Sequence, residues 1–377
     1  MLESFMEAFS ELPEPRKHEN KILYKLVDVV VMAVCAVISG ADDWDTVADY
    51  ARSKQEWFEG FLELPNGVPS HDTFSRIFTM IDPEAFGNCF MSWVTSMTRN
   101  YEGRVVPVDG KTLRRSHGHN SDGDPISSLH MVSAFCTDNG LVLGQLATEE
   151  KSNEITAIPK LLDVLDLEGA IVTIDAMGAQ KDIVDKICDK GGEYVIGLKA
   201  NQPKFLEAAE RHFADVNLDT EAHETLDVHV VKDDTHGRNR IQGTFVSGDL
   251  SGIDMRDEWT GLRCIAMVIT EFLDKNRRLQ TERRYYMSAL LQDAQQTAHA
   301  VRNHWAIENT LHWTLDVAFR EDDSRVRRDN GAENLAVIRH VALNLLRQDR
   351  STKLGVKNKR KKAAYDNDYL PSLLFGR

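Results

Sequence analysis

Hydrophobic and polar positions divide the chain into stretches of different period. Up to about residue 100 the apolar positions recur at helical spacing. LVDVVVMAVCAVI, over Leu26 to Ile38, is apolar nearly throughout and predicts a buried helix, while ADDWDTVADYARSKQEWFEGFL predicts an amphipathic one. Ser70 stands as an N-cap ahead of a further helix through Thr73-Phe74-Ser75-Arg76-Ile77-Phe78. The last pair reads equally well as a helix-turn-helix or as a plain packing lobe.

After Arg104 the period changes. Val105 to Val108 predicts a strand, and His130 to Thr137 and Leu141 to Thr148 predict two more, joined by the tight turn Asp138-Asn139-Gly140. Glu154 to Leu165 then reads as a helix, Ile171 to Ile174 as a strand, Gln180 to Asp189 as a helix and Tyr194 to Leu198 as a strand. A hairpin followed by alternating elements predicts the α/β class, a mixed sheet with flanking helices. Strand-like segments at Val228 to Val231, Ile241 to Val246, Arg263 to Ile269 and Arg283 to Met287 predict a β-rich insertion, and helical spacing returns from Asp293 to Leu346. The expected organisation is an N-terminal helical domain over 1–100, a core from 101–200 and 291–350, an insertion over 201–290 and a basic C-terminal tail over 351–377.

Composition narrows the class. A chain of 377 residues is long enough to bury a sizeable core in two or three lobes. Its five cysteines (35, 89, 136, 188 and 264) are scattered and odd in number, which argues against a disulfide framework or a cysteine zinc site and for reduced thiols in the cytoplasm. The longest apolar run is half the length of a membrane span, and no basic leader precedes it. A net charge of −14 counts against a nucleic-acid partner, but its distribution is uneven. From Arg339 to Lys362 nine Lys or Arg stand against one acid, Asp349, so a locally basic strip rides on an acidic body.

Three carboxylates stand where carboxylates are costly. Asp175 ends the apolar run IVTI, and Asp109 ends VVPV, each followed by a small residue, Ala176 or Gly110. Glu308 interrupts a helical stripe whose neighbours at three, four and seven residues are Val301, His304, Trp305, Leu311, His312 and Leu315. Buried carboxylates are paired or bind metal, and three of them with waters suit a hard, oxygen-preferring cation such as Mg²⁺ or Mn²⁺. An acid at a strand end is more often a turn-former or helix cap, and a Glu on an amphipathic helix more often meets solvent. The residues by themselves leave both readings open.

Four stretches carry a resemblance: VVPVDGKTLRRS, TEEKSNEITAIPKLL, IVTIDAMGAQKDI and RNHWAIENTLHWTLDVAFREDDSRVRRDNGAENLAVIRHVALNLL. Together they resemble the H-repeat-associated insertion-sequence transposases, a branch of the DDE transposases with a ribonuclease H-like catalytic core, and the likeness covers nearly the whole chain. It implies that Asp109, Asp175 and Glu308 form the acidic triad and hold two Mg²⁺ or Mn²⁺ ions. It also implies cleavage at insertion-sequence ends and transfer of the freed 3′-OH into target DNA. The implied partners are double-stranded DNA, as inverted repeats and target, and a second copy of the chain in a homodimer on DNA, associated with the nucleoid of a bacterial cytoplasm. One departure stands out: where many relatives carry Tyr, Arg and Lys at −7, −4 and +7 from the Glu, this chain has Val301, His304 and Leu315. Arg302, or Arg325 with Arg327 and Arg328, are the candidate substitutes.

Candidate phosphate contacts follow from position and charge. Lys111, Arg114 and Arg115 come directly after Asp109, with a solvated charged loop as the alternative. Arg302 and Arg325 flank the Glu308 region, and Lys359, Arg360 and Lys361 lie in the basic tail. For His236-Gly237-Arg238 a surface turn is favoured over DNA contact. His304 and His312 lie four residues either side of Glu308, but without HExxH a zinc site is disfavoured. Two rival functions remain: a catalytically idle DNA-binding derivative, and a structure-selective nuclease on the same core.

Overall fold

A computed structural model describes residues 1–17, 22–97, 101–119, 125–148, 154–233, 240–274 and 276–376. The chain divides into two compact units, one of Met1–Arg99, Gly110–Ala157 and Glu308–Arg377, the other of Asn100–Asp109 and Ile158–Ile307. No helix among the described residues is long and apolar enough to cross a membrane.

The first unit begins with six helices: α1 (Leu2–Ser10), α2 (Leu26–Ile38), α3 (Trp44–Ser53), α4 (Gln55–Phe58), α5 (His71–Met80) and α6 (Pro83–Met97). Every residue of α2 is buried, as an all-round apolar helix must be. Asp43 caps α3 in a reciprocal box with Thr46, and Ser70 Oγ accepts from Thr73 N–H at the start of α5. α3 and α5 pack with Trp44 stacked on Phe78 at 4.6 Å. Their connection holds all of α4 and its flanking loops, far more than the short turn of a helix-turn-helix.

Strand β1 (Val105–Thr112) contributes Val105 to Asp109 to the second unit and Gly110 to Thr112 to the first. A two-residue pair follows, β2 (Gly118–His119) with β3 (Pro125–Ile126), and then the predicted hairpin of β4 (His130–Cys136) and β5 (Leu141–Thr148), whose turn has Gly140 at a φ of 69°. In this unit the strand order is β5-β4-β1.

The second unit carries α7 (Glu154–Val164, from Ile158 onward), β6 (Ile171–Ile174), α8 (Lys181–Asp189), β7 (Glu193–Leu198), α9 (Pro203–His212), β8 (Asp227–Asp233), β9 (Arg240–Ser247), β10 (Cys264–Leu273), β11 (Leu279–Ser288) and α10 (Ala294–His304). Its order is β1-β6-β7-β11-β10-β9-β8, parallel from β1 to β7 and antiparallel thereafter. The order β5-β4-β1 in the first unit and the parallel order β1-β6-β7 in the second are those of the ribonuclease H-like fold. The four strands of the β-rich segment continue the sheet, because β11 pairs with β7 from Tyr285↔Leu198 to Ser288↔Val195. Val105, Ile171, Val195, Val268, Leu290, Ala300 and Val301 close one core between sheet and α10.

Back in the first unit, α11 (Trp313–Phe319), α12 (Gly331–Gln348), α13 (Val356–Tyr365) and α14 (Tyr369–Phe375) complete the fold. α12 is buried along nearly its whole length and uses two asparagines to satisfy backbone groups that would otherwise be orphaned. Asn344 both accepts from Val142 N–H and donates to its carbonyl, each at 2.9 Å, and Asn334 donates to the carbonyls of Phe78 and Ile81 at the end of α5. The basic run expected as a tail is helix α13, and its two buried cations close other helices. Lys359 Nζ donates to the carbonyls of Leu346 and Asp349 at 2.9 and 2.8 Å, ending α12. Arg360 donates to the carbonyls of Val37, Ala41 and Ala318 and lies 4.3 Å over the Phe319 ring, ending α2.

Lys111 anchors a second buried ionic group in this unit. Its Nζ donates to Asp316 at 2.5 Å and Glu321 at 2.7 Å, and Arg339 lies 3.8 Å from Glu321. Burial alone would raise the Glu321 carboxyl, but the Lys111 and Arg339 charges hold it down to about 2. The His312 and His340 imidazoles nearby are both pushed down to about 4, chiefly by burial, with the Lys111 cation adding to it.

Two outcomes follow. Arg360→Met removes the donors of three buried carbonyls and should cost about 3 kcal/mol in urea unfolding, against under about 0.5 kcal/mol for Lys361→Ala one residue on. Stability should also fall as pH is lowered from about 6.5 to 4, because the unfolded imidazoles of His312 and His340 take up protons there and the folded ones do not. Below the ordinary Glu pKa of 4.5 Glu321 adds to the loss, its unfolded carboxyl binding a proton the folded one refuses down to about 2. Melting temperatures across this range should drop less steeply for His340→Leu.

Candidate functional site

Parallel pairing brings two of the singled-out acids together. Val105 to Val108 lie opposite Ile171 to Ile174 in strict register, so the next residues, Asp109 and Asp175, stand at the same level, Asp175 just past the end of β6 and Asp109 inside β1, which runs on to Thr112 instead of ending at Val108 as expected. Their backbones are therefore about one strand spacing apart, roughly 4.8 Å. Both side chains are half-buried, at the rim where the apolar strands end.

The tip of β6 is built to hold Asp175 in one orientation. Asp175 caps the short 3₁₀ turn Ala176–Gly178 and accepts from Met177 N–H at 2.9 Å, which leaves the carboxylate further lone pairs. The turn folds back so tightly that a Cβ on Gly178 would lie 2.3 Å from Ile174 Cγ2. Asn201 and Gln202, after β7, donate to the carbonyls of Ala176 and Ala179 at 2.5 and 2.8 Å. These two residues and Lys199 were missed in the sequence. The sequence marks them only as polar residues after a strand; the β6–β7 pairing is what sets Lys199 to Gln202 beside the tip of β6.

Helix α10 closes one side of this rim. His304 Nδ1 lies 3.2 Å from Thr173 Oγ1, two residues before Asp175. Burial pushes the His304 imidazole below its usual range although the Asp175 charge pulls it up, so the ring is neutral at neutral pH. Arg284 stacks 4.9 Å over Trp305, which follows.

Glu308 belongs to the first unit, and its local structure differs from the expected regular helix. Ile307–His312 is a π-helix, whose wider spacing breaks the apolar stripe: Ile307, Leu311 and Leu315 are buried and Glu308 is exposed. Short π segments occur often at functional sites. Among the described residues no three or more His, Cys, Asp or Glu side chains gather into a group ready for a metal ion. The two half-buried carboxylates, Asp109 within β1 and Asp175 at the tip of β6, hard oxygen donors with small residues beside them, do suit a cation of the Mg²⁺ class.

The cations singled out in the sequence divide sharply. Lys359 and Arg360 are buried and Lys111 is half-buried, all with their donors committed inside the first unit, because strand and helix ends supply carboxylates and carbonyls that desolvated cations must meet. Arg114 and Arg115 pair with Asp322 and Asp323 at 3.1 and 3.4 Å yet keep 81% and 49% of their side chains exposed. Arg302, Arg325 and Lys361 are exposed. His236, Gly237 and Arg238 lie outside the described residues.

Residues 6–94 match the DDE_Tnp_1-associated family and residues 100–345 the transposase DDE domain family. The chain is 39% identical over 380 residues to the H repeat-associated putative transposase YhhI of Escherichia coli (strain K12), covering 100% of this chain and 98% of that protein. It is 40% identical over 376 residues to the putative transposase YncI of Escherichia coli O157:H7, covering 99% and 95%. Among solved structures, the piggyBac transposase synaptic complex with hairpin DNA aligns at a TM-score of 0.44 and 9% identity, over 100% of this chain and 80% of that one. With a transposase DDE domain over most of its length and relatives matched end to end, the chain belongs to the DDE transposase family.

Proposed function

We propose that this protein is a metal-dependent DNA transposase that cleaves the ends of an insertion sequence and joins the freed 3′-OH to target DNA, with Asp109, Asp175 and Glu308 as its metal-holding acids. The observation that carries the reading is the β1–β6 register, which sets Asp109 and Asp175 side by side at a half-buried rim. Glu308 enters by the chain: His304, at the edge of that rim beside Thr173, precedes it by four residues.

Two Mg²⁺ or Mn²⁺ ions, when bound, supply activation of the attacking oxygen and stabilisation of the departing one at the phosphodiester. The chain's own residues prepare the place. Met177 N–H fixes the Asp175 carboxylate, so its outward oxygen needs no reordering, and Asn201 and Gln202 hold the turn that presents it. A neutral His304 adds no positive charge that would compete with a cation for Asp175. Exposed Arg114, Arg115, Arg302, Arg325 and Lys361 are available for phosphates, positioning duplex DNA without reading its sequence. On this reading the protein works as a homodimer on inverted repeats and target DNA, in the cytoplasm at the nucleoid.

Asp109→Asn, Asp175→Asn and Glu308→Gln should each lower Mg²⁺-dependent nicking of DNA carrying the flanking inverted repeats by at least about 10²-fold, while affinity for the same DNA stays within about threefold. Mn²⁺ titration followed by electron paramagnetic resonance should show weaker binding in the two Asp variants. A variant that cuts at the wild-type rate removes that residue from the site. A wild-type protein that binds the repeats but never cuts them with Mg²⁺ or Mn²⁺ would leave the idle DNA-binding derivative as the better reading.

A further inference from the structure

The π segment around Glu308 is a rare conformation, and something has to hold it. A π turn fits one extra residue into a helix, with hydrogen bonds that run to the fifth residue instead of the fourth, and it occurs mostly as a short bulge. Ile307–His312 is such a segment, and it runs directly into α11. Relaxation to α geometry removes the extra residue, which turns everything on one side of it by roughly 100° and slides it by about 1.5 Å. Here the later side is pinned. Leu315 and Phe319 of α11 are buried, and Asp316 accepts from the Lys111 ammonium at 2.5 Å. Relaxation would therefore swing the exposed Glu308 about the axis of α11.

Two side chains meet one carbonyl inside the segment. Arg347, on α12, donates from Nη2 to the Thr310 carbonyl at 2.8 Å, and the Thr314 hydroxyl donates to the same oxygen at 2.5 Å. A Thr hydroxyl on the carbonyl four residues back loosens and bends a helix. The guanidinium adds a charge-assisted bond, the stronger kind. Arg347 is itself fixed from two further directions: Nη1 donates to the Gly140 carbonyl in the β4–β5 turn at 3.0 Å, and the guanidinium lies 5.0 Å over the Phe135 ring. All these groups belong to the first unit, and Thr310 stands two residues from Glu308.

We propose that Arg347 is a positioning residue for Glu308: together with Thr314 it holds the Thr310 carbonyl in the opened turn, and so sets the direction in which the Glu308 carboxylate leaves the helix. Arginine suits this task, because its planar fork meets two carbonyls on separate elements at fixed geometry, which a single ammonium does not. The proposal rests on the reading of Glu308 as a metal-holding acid, and adds to that reading the groups that aim it.

The first test uses the full-length protein without metal or DNA. Hydrogen exchange followed by mass spectrometry should quicken about tenfold over residues 308–313 in Arg347→Met and in Thr314→Val. Thr314→Ser keeps the hydroxyl and should exchange like wild type. With Mg²⁺ and DNA carrying the flanking inverted repeats, the maximal nicking rate should fall at least about tenfold in the same two variants, while the half-saturating DNA concentration stays within about threefold. Both changes act on one carbonyl, so the double variant should lose much less than the product of the two losses. Arg347→Met also strips the Gly140 carbonyl of a donor; Thr314→Val leaves the hairpin alone and decides the matter if Arg347→Met folds poorly. If Thr314→Val nicks and exchanges like wild type, and Arg347→Met quickens exchange only in the hairpin, the arginine serves the hairpin and the proposal is overturned. Quickened exchange over 308–313 with an unchanged nicking rate overturns it as well, and leaves the catalytic reading untouched. Glu308→Gln, run in parallel, separates the two: if it nicks at the wild-type rate, the reading of Glu308 falls and the proposal falls with it.

Discussion

Parallel pairing between β1 and β6 is the constraint on which the rest depends. Two buried four-residue segments, far apart in the chain, are held in register by backbone hydrogen bonds and by the core of Val105, Ile171 and Val195. A slip of one residue would turn every side chain to the opposite face of the sheet and separate the two aspartates. Burial of the strands therefore fixes the chemistry at their ends: the apolar residues select the register, and the register places the carboxylates. The turn after Asp175, with Gly178 against Ile174 and Asn201 on Ala176, keeps that placement stiff.

A second constraint governs the cations. Desolvated Lys and Arg need anionic or carbonyl partners, and this fold offers many at helix ends. Lys359 and Arg360, in the most basic stretch of the chain, are drawn inward to close α12 and α2, while Lys361 beside them stays in water. Lys111, two residues from Asp109, is neutralised by Asp316 and Glu321. Charge density along the sequence is thus a poor map of charge density on the surface. Exposed cations stand elsewhere, among them Arg302 and Arg325.

Much of the architecture was legible because it follows local periodicity. The buried α2, the capped α5, the β4–β5 hairpin and the alternation from α7 to β7 stand where pattern and turn residues put them. Asp109 and Asp175 were legible as candidates for the same reason, since an acid ending an apolar run is visible in one dimension, but the continuation of β1 past Asp109 to Thr112 was not. The π segment around Glu308 was not, because a helix that widens by one residue per turn leaves no distinctive composition, and the apolar stripe drawn through His304, Leu311 and Leu315 assumed regular spacing. The supporting residues Lys199, Asn201 and Gln202 were passed over because nothing local says that the third strand tip lies beside the second.

By itself, then, the sequence determined the kind of elements, their order, the family, and the short list of acids that could carry chemistry. It did so because apolar period, turn chemistry and long ordered motifs are properties of neighbours in the chain. Only the tertiary structure decided which acids stand together and which cations are consumed inside. Those outcomes depend on strand register and on which helix ends meet which side chains, and both are settled by contacts between residues that the chain keeps far apart.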